Sequence, residues 1–338
     1  MARKRIQNRE TVLGVVCAHN RLSLTFMRGG TVVKDIWVDV GDNIAEGSTI
    51  KAPNLLAALI KDTMKANQIR CRRAAYAIPG ETVFTRTITI PEMNEEQIRI
   101  NVPFEFRDFI QGELKEYVFD YVYVGEKTDG ASSDGPTMTL FAAAVPRTYL
   151  NDTISMFKQA GLKLVKATPE TCTFEALLTL LPDGEERMRE RCFLDIGQGH
   201  SRMLIYRDGR YKLMHMIDLG VRRIVQTIAD EMNVDMHLAE TYLRTQYEGC
   251  DTLPAVQNVY KDISLEVLKG INFYEVSDMS ARLGDVTICG GGAMIAPLVE
   301  LLKNRISMNV TTMDELLPDW NVNGSLNLTA TSLGLVVE

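Results

Sequence analysis

The sequence has no Cys-x-x-Cys pair, no excess of positive charge and only four histidines. It also has no run of about 18 apolar residues, the length a membrane-spanning helix needs. Each absence closes a class of function. The six cysteines (Cys17, Cys71, Cys172, Cys192, Cys250 and Cys289) are scattered, with no histidine at zinc-ligand spacing. Neither a structural zinc site nor a disulfide framework is indicated. The N-terminal charges are not followed by the apolar stretch of roughly 7–15 residues that marks a signal peptide, so the expected location is the cytoplasm. Lys and Arg number 37 against 44 Asp and Glu, a net charge of −7. That balance gives no electrostatic reason to expect nucleic-acid binding. The one basic cluster, Arg3, Lys4, Arg5 and Arg9, reads as a solvated tail rather than a membrane contact.

What is present is enough apolar material, 46% of 338 residues, for sizeable cores in about two domains. The pattern is duplicated. Val12–Val16, Leu22–Phe26 and Thr31–Val40 read as three successive strands, with Arg28-Gly29-Gly30 as the second turn. Cys192–Ile196, Arg202–Tyr206 and Tyr211–Ile217 repeat the meander, with Asp208-Gly209 as a two-residue hairpin turn. From Val16 to Gly29 is 13 positions and from Asp195 to Gly209 is 14. Each meander feeds an amphipathic helix: Leu55, Leu56, Leu59, Ile60 and Met64 form one apolar face, and Val221, Ile224, Val225, Ile228 and Met232 the other. A repeated meander plus helix predicts two α/β lobes around a cleft.

Between the meanders, residues 82–166 read as an inserted subdomain. The expected order is strand (Val83–Ile90), a helix over Glu95–Gln111 broken at Pro103, strand (Tyr117–Val124), strand (Thr137–Ala144), helix (Arg147–Ala160) and a strand from Leu162. Gly125–Pro136 reads as a hairpin tip. Farther on, Val256, Val259, Tyr260, Ile263, Val267 and Ile271 form a helical packing stripe. Val286–Cys289 is a strand running into Gly290-Gly291-Gly292, with a helix over Met294–Lys303. Such a turn lets a backbone approach a ligand closely.

These residues carry a resemblance. Asp195-Ile196-Gly197-Gln198-Gly199-His200-Ser201 resembles the second phosphate-binding hairpin of the actin-like ATPases, and Cys289-Gly290-Gly291-Gly292-Ala293 their adenosine-binding loop. Ala239-Glu240 looks like a pair that lies beside the nucleotide in the FtsA/PilM branch. Thr85-Arg86-Thr87-Ile88, Ile90-Pro91-Glu92-Met93, the Glu95–Ile110 helix, Phe119-Asp120-Tyr121 and Ala160-Gly161-Leu162 resemble the subdomain particular to that branch. The ending Leu333-Gly334-Leu335 is similar to the family's closing Gly-Leu. The resemblance is nearest to the PilM proteins of type IV pilus assembly. It implies a duplicated actin-like (ribonuclease-H-like) two-lobed α/β fold with an inserted βαββα-type subdomain. The expected divisions are residues 10–81 and 167–191 in the first lobe, 82–166 in the insertion and 192–338 in the second lobe.

The resemblance further implies ATP or ADP with Mg²⁺. Gly197, Gly199 and Ser201 would cradle phosphate, Asp195 would hold Mg²⁺ through water, and Glu240 and Gly290, Gly291 and Gly292 would lie beside the nucleoside. Glu170 either orients an attacking water or is a helix N-terminal carboxylate favoured by the macrodipole. The sequence also departs from the pattern. Val16-Cys17-Ala18 stands where the family carries Asp-Ile-Gly, Ser23 where it carries a Lys, and Val221 in place of a second Gly after Gly220. Leu243 replaces a Lys, with Arg244 next to it as a substitute, and His19 reads as a surface residue of the turn rather than as a donor for phosphate. Without the first loop's charges, hydrolysis is expected to be slow or absent. Four readings follow: a PilM-like adaptor, an FtsA-like filament former, a sugar-type kinase and a chaperone ATPase. The adaptor leads. Its implied partner is the short cytoplasmic N-terminal tail of a PilN-like membrane protein, with self-association open. It implies no direct membrane insertion, and recruitment to the inner face of the cell membrane through that partner.

Overall fold

A computed structural model describes residues 11–18, 20–124, 136–322 and 326–337. The basic cluster Arg3 to Arg9, His19 and the hairpin tip at 125–135 lie outside the described residues. The first meander is β1 (Val12–Ala18), β2 (Arg21–Arg28) and β3 (Thr31–Asp39), followed by α1 (Pro53–Ala66) and β4 (Arg73–Ile78). Then come β5 (Phe84–Pro91), α2 (Glu95–Asn101), β6 (Tyr117–Tyr123), β7 (Thr137–Pro146), α3 (Arg147–Gln159), β8 (Lys163–Pro169) and α4 (Glu170–Leu178). The second meander is β9 (Arg191–Ile196), β10 (Ser201–Arg207) and β11 (Arg210–Ile217). It is followed by α5 (Val221–Met232), α6 (Met236–Thr245), α7 (Pro254–Ser277), β12 (Asp285–Cys289), α8 (Ala296–Arg305), β13 (Asn309–Thr312) and α9 (Leu326–Val337).

The duplication holds strand for strand. One sheet runs β8-β4-β1-β2-β3 and the other β13-β12-β9-β10-β11. In each, the meander pairs antiparallel and the two outer strands join parallel. Parallel neighbours need a crossover, and α1, α3, α5 and α8 fall within those connections. Asp208 (φ 53°) and Gly209 (φ 71°) both adopt left-handed backbone, the geometry of the tight hairpin turn expected there. The face of α5 is buried at Val221, Ile224, Val225 and Ile228.

The insertion is a three-stranded antiparallel sheet, β5-β7-β6. It is covered by α2 and a short 3₁₀ segment, residues 102–106, into which the helix breaks at Pro103. Asn94 caps α2 reciprocally with Gln97. Ile88, Ile98, Val102, Phe106 and Leu140 make its small core. The insertion is shorter than the expected 82–166. β8 pairs in parallel with β4, and Met156, Phe157 and Leu162 share a core with Leu13, Leu56 and Tyr76. Residues 147–166 therefore pack with the first lobe. The 3.6-residue period shows which face of α3 is apolar, but not which sheet receives it.

The C-terminal helix also departs from the expected division. Expected in the second lobe, α9 lies on β1, β2 and α4 of the first. A Cβ at Gly14 would stand 2.3 Å from the Ser332 carbonyl oxygen, and one at Gly334 2.2 Å from that of Thr173. Only glycine permits so close an approach. A buried polar network pins the same helix. Asp35 accepts hydrogen bonds from Thr25 (2.8 Å) and Thr329, and Thr25 shares a 2.7 Å hydrogen bond with Ser332. Burial raises the Asp35 pKa, and the two hydroxyl hydrogen bonds oppose that rise. Among the described residues no helix is long and apolar enough to cross a membrane.

Gly334→Ala should drive a methyl group into backbone that cannot swing aside, costing roughly 1–3 kcal/mol, the range for overpacking. A thermal melt checks this; an unchanged melting temperature means α9 is not seated as described.

Candidate functional site

The cleft between the lobes is lined by the ends of β1, β2, β9 and β12 and by the starts of α4 and α9. The two hairpins present equivalent cross-strand pairs there: Val16 faces Ser23 in the first lobe, and Asp195 faces Arg202 in the second. Ser23 does not point a charge into the cleft; its hydroxyl donates to the Leu328 carbonyl at 3.1 Å.

Arg202 dominates the second lobe's side. One guanidinium nitrogen donates to Asp195 Oδ2 at 2.5 Å and the other to Glu170 Oε1. Arg202, Asp195 and Glu170 are all buried, at 6%, 6% and 4% exposure. Glu170 Oε1 also accepts the Gly80 N–H at 3.0 Å. Burial alone would lower the Arg202 pKa, but the Glu170 and Asp195 charges outweigh it and hold it above the ordinary value. The guanidinium is thus permanently charged and shared between two carboxylates from different lobes. Glu170 does open a helix, as one of its two expected readings has it, and its carboxylate is spent on this bridge.

The phosphate hairpin is tied to the start of α5. Gly197 N–H donates to the His200 carbonyl at 3.1 Å, closing the turn. The carbonyls of Gly197 and Gln198 accept the first N–H groups of α5, from Val221 (2.9 Å) and Arg222 (2.7 Å). Contrary to the expected role, the Ser201 hydroxyl is turned inward and donates to the Leu219 carbonyl at 2.6 Å. Gly199 is exposed at the tip. Gly290 (φ 79°) lies so close to Asp195 that a Cβ would meet its Oδ1 at 2.4 Å. Gly292 packs beneath Ile196, whereas a Cβ at Gly291 would make only ordinary van der Waals contact, with Val221 at 3.5 Å.

The cleft mouth holds the remaining expected residues. Arg244, on α6, reaches across to Asp39 on β3 at 3.4 Å. Both side chains are more than half exposed, so this pair contributes little. Glu240 lies on the same helix, within Coulombic reach of Arg21. Arg21, which the sequence reading missed, brings a first-lobe cation into the cleft and rests 5.0 Å over the Trp37 ring. Burial lowers its pKa, opposed by Asp39 and Glu240.

A second concavity lies at the seam between the insertion and the first lobe. It has a volume of about 270 Å³ and is lined by Val118, Leu150, Ile154, Leu164, Val165 and Lys166, among others. Ile154 and Val165 are exposed, and Val165 is the extra residue of a β-bulge in β8. Bulges re-aim side chains, here into the groove. Strand β6 borders two concavities: Val118 and Asp120 line both this groove and a cavity of about 690 Å³ beside α2, and Tyr117, Phe119, Tyr121 and Tyr123 line the second alone.

Two duplicated meander-plus-helix lobes about a cleft, one carrying an insertion, define an actin-like two-lobed protein. The chain belongs to the type IV pilus assembly protein PilM family, whose sequence profile matches residues 31–323. Among solved structures, that of the PilM–PilN type IV pilus biogenesis complex is similar, with a TM-score of 0.80 at 20% identity over 97% of this chain and 98% of that one. The ethanolamine utilization protein EutJ from Carboxydothermus hydrogenoformans matches with a TM-score of 0.60 at 15% identity, over 96% of this chain and 88% of that one. No curated protein matches the sequence.

The Mg²⁺ of the nucleotide that the fold implies does not fit the residues present at Asp195. The innermost part of the cleft, between Asp195 and Glu170, has a volume of about 50 Å³, small beside the roughly 300–1,000 Å³ of pockets that hold small molecules. Both carboxylates that could serve a metal are bound to Arg202. Among the described residues no group of three or more His, Cys, Asp or Glu side chains is arranged to hold a metal ion.

Burial lowers the pKa of Lys166, on the groove floor, from 10.5 to about 8. Between those values the unfolded chain binds more protons than the folded one, so this residue makes stability rise from about pH 8 to pH 10.5. In Lys166→Met that rise should flatten and stability at pH 7 should increase, as urea midpoints at pH 7 and pH 10 will read. An identical pH dependence in the variant would show that Lys166 is not buried as described.

Proposed function

We propose that the chain is a cytoplasmic adaptor of type IV pilus assembly. In this role it captures the short cytoplasmic tail of a PilN-like membrane partner in the groove between the insertion and the first lobe, and is thereby recruited to the inner face of the membrane. The observation that carries this reading is the groove itself: exposed Ile154 and Val165 in a mainly apolar lining that also holds Lys166 and Asp120, in a chain of the PilM family. Isolated apolar side chains on a surface need no explanation, but a lined concavity with room for two or three partner side chains does. A short segment that orders on binding gives modest affinity, in the range of about micromolar Kd.

The test is Ile154→Glu and Val165→Glu, made singly. Each should abolish binding of the tail peptide in calorimetry while leaving the melting temperature unchanged, because both side chains are already solvent-exposed. Binding that survives both substitutions, or a pilus-platform tail that never binds, overturns the adaptor role.

In the same reading the interlobe cleft does not turn over ATP. Val16 and Ser23 supply no charge to the first loop, and Glu170 is engaged by Arg202 rather than free to orient a water. Steady-state ATP hydrolysis by the purified protein should fall well below the typical enzyme range of about 1–10³ per second. A rate inside that range contradicts this part of the reading.

A further inference from the structure

We infer that Arg202 is the resident cation of the interlobe cleft: it compensates the two carboxylates that a divalent metal would otherwise serve, and holds the lobes together with neither metal nor nucleotide. The argument starts from register. Arg202 lies directly opposite Asp195 on adjacent antiparallel strands, so its side chain emerges beside that carboxylate by backbone pairing alone. Its guanidinium then bridges to Glu170, the first residue of α4 on the first-lobe side. A planar fork of donors can take two carboxylates at once, and no physiological pH removes its charge. Two carboxylates buried this deeply require a positive partner. A hard divalent ion can be that partner only if it displaces Arg202, whose own burial then leaves a charge unpaired. The resident cation therefore excludes the metal.

The neighbouring contacts tie α4 to the second meander as well. Tyr206 on β10 donates to the Thr171 carbonyl of α4, at 2.5 Å. Glu175 on α4 accepts from Arg210 (2.6 Å) and from the Tyr211 N–H (3.1 Å). Arg202 is the buried, charged centre of this set. The inference stands whichever segment fills the groove, since no groove residue takes part.

Thermal melts of the full chain test it, with EDTA, MgCl₂, MnCl₂ or Mg-ATP as the added probe. Wild type should melt at the same temperature in all four. A rise with Mg-ATP that EDTA abolishes overturns the inference, because binding to the folded state alone must raise the melt. Arg202→Ala should melt several degrees lower in EDTA and recover part of that loss in MnCl₂, since the two freed carboxylates can then take a metal. Adding Asp195→Asn should remove the recovery. Arg202→Lys keeps the charge and should stay indifferent to metal. A folded Arg202→Ala protein that ignores manganese refutes the assignment. If that variant does not fold, the wild-type and Arg202→Lys melts decide the question alone. Loss of peptide binding at the groove changes none of these readouts, so the two proposals fail separately.

Discussion

The polar contact between the lobes centres on one buried guanidinium, set in an apolar core that itself spans both lobes, with Val16 and Phe174 in one cluster with Phe193 and Tyr206. Arg202 is contributed by the second lobe and is satisfied half by its own strand partner, Asp195, and half by Glu170 of the first lobe. Removing one partner of such a buried pair typically costs about 3–5 kcal/mol, because the other is left charged and dry. Surface pairs that also cross the cleft, such as Arg244 with Asp39, cannot act in this way. Helix α4 is where the bridge takes hold: Glu170 receives Arg202 at its first turn, Thr171 receives Tyr206, and Glu175 receives the turn of the second meander.

The duplication explains why the charge sits where it does. Val16–Ser23 and Asp195–Arg202 are the same cross-strand position in two copies of one meander. In the first copy the pair is apolar and hydroxyl, and Ser23 closes onto the backbone of α9. In the second copy it is an ion pair. The first lobe therefore receives a helix, and the second lobe supplies the charge. Helix α9 can come in only because Gly14 and Gly334 let backbones meet, and it arrives with Thr329 to give Asp35 a second hydroxyl donor and with Ser332 to bond the first, Thr25. The cleft is thus filled from the chain itself.

Much of this was legible in the sequence, because alternation and the Asp208-Gly209 turn specify strands and hairpins locally. The repeated meander, the buried face of α5 and the break at Pro103 are all written in short-range pattern. Arg202 was missed for a physical reason. A single charge inside an apolar strand announces burial but not its partner, and Glu170 lies 32 residues away on another element. The same limit hid the Val165 bulge, which depends on how β8 registers with β4, and the docking of α3 and α9, whose apolar stripes fit either lobe. The motif at Ser201 allows a phosphate ligand. Which way its hydroxyl turns is decided by the Leu219 carbonyl, which is distant in sequence.

The groove and the bridge meet on one continuous piece of chain. Val165 and Lys166 line the groove from β8, and Glu170 follows within the same strand-to-helix run. β8 is thereby held at its far end by Arg202 and along its length by pairing with β4. In the proposed adaptor role this means the groove wall is set before any tail arrives. A wall already ordered spares the complex the entropy of forming it, which matters for a short segment with few side chains to contribute. It also separates the roles within the fold. A cleft that cycled with nucleotide would pull on Glu170 and, through it, on β8, and the groove would open and close with each turnover. In the proposed role, a cleft closed by its own arginine would keep the groove in one shape for the partner's tail.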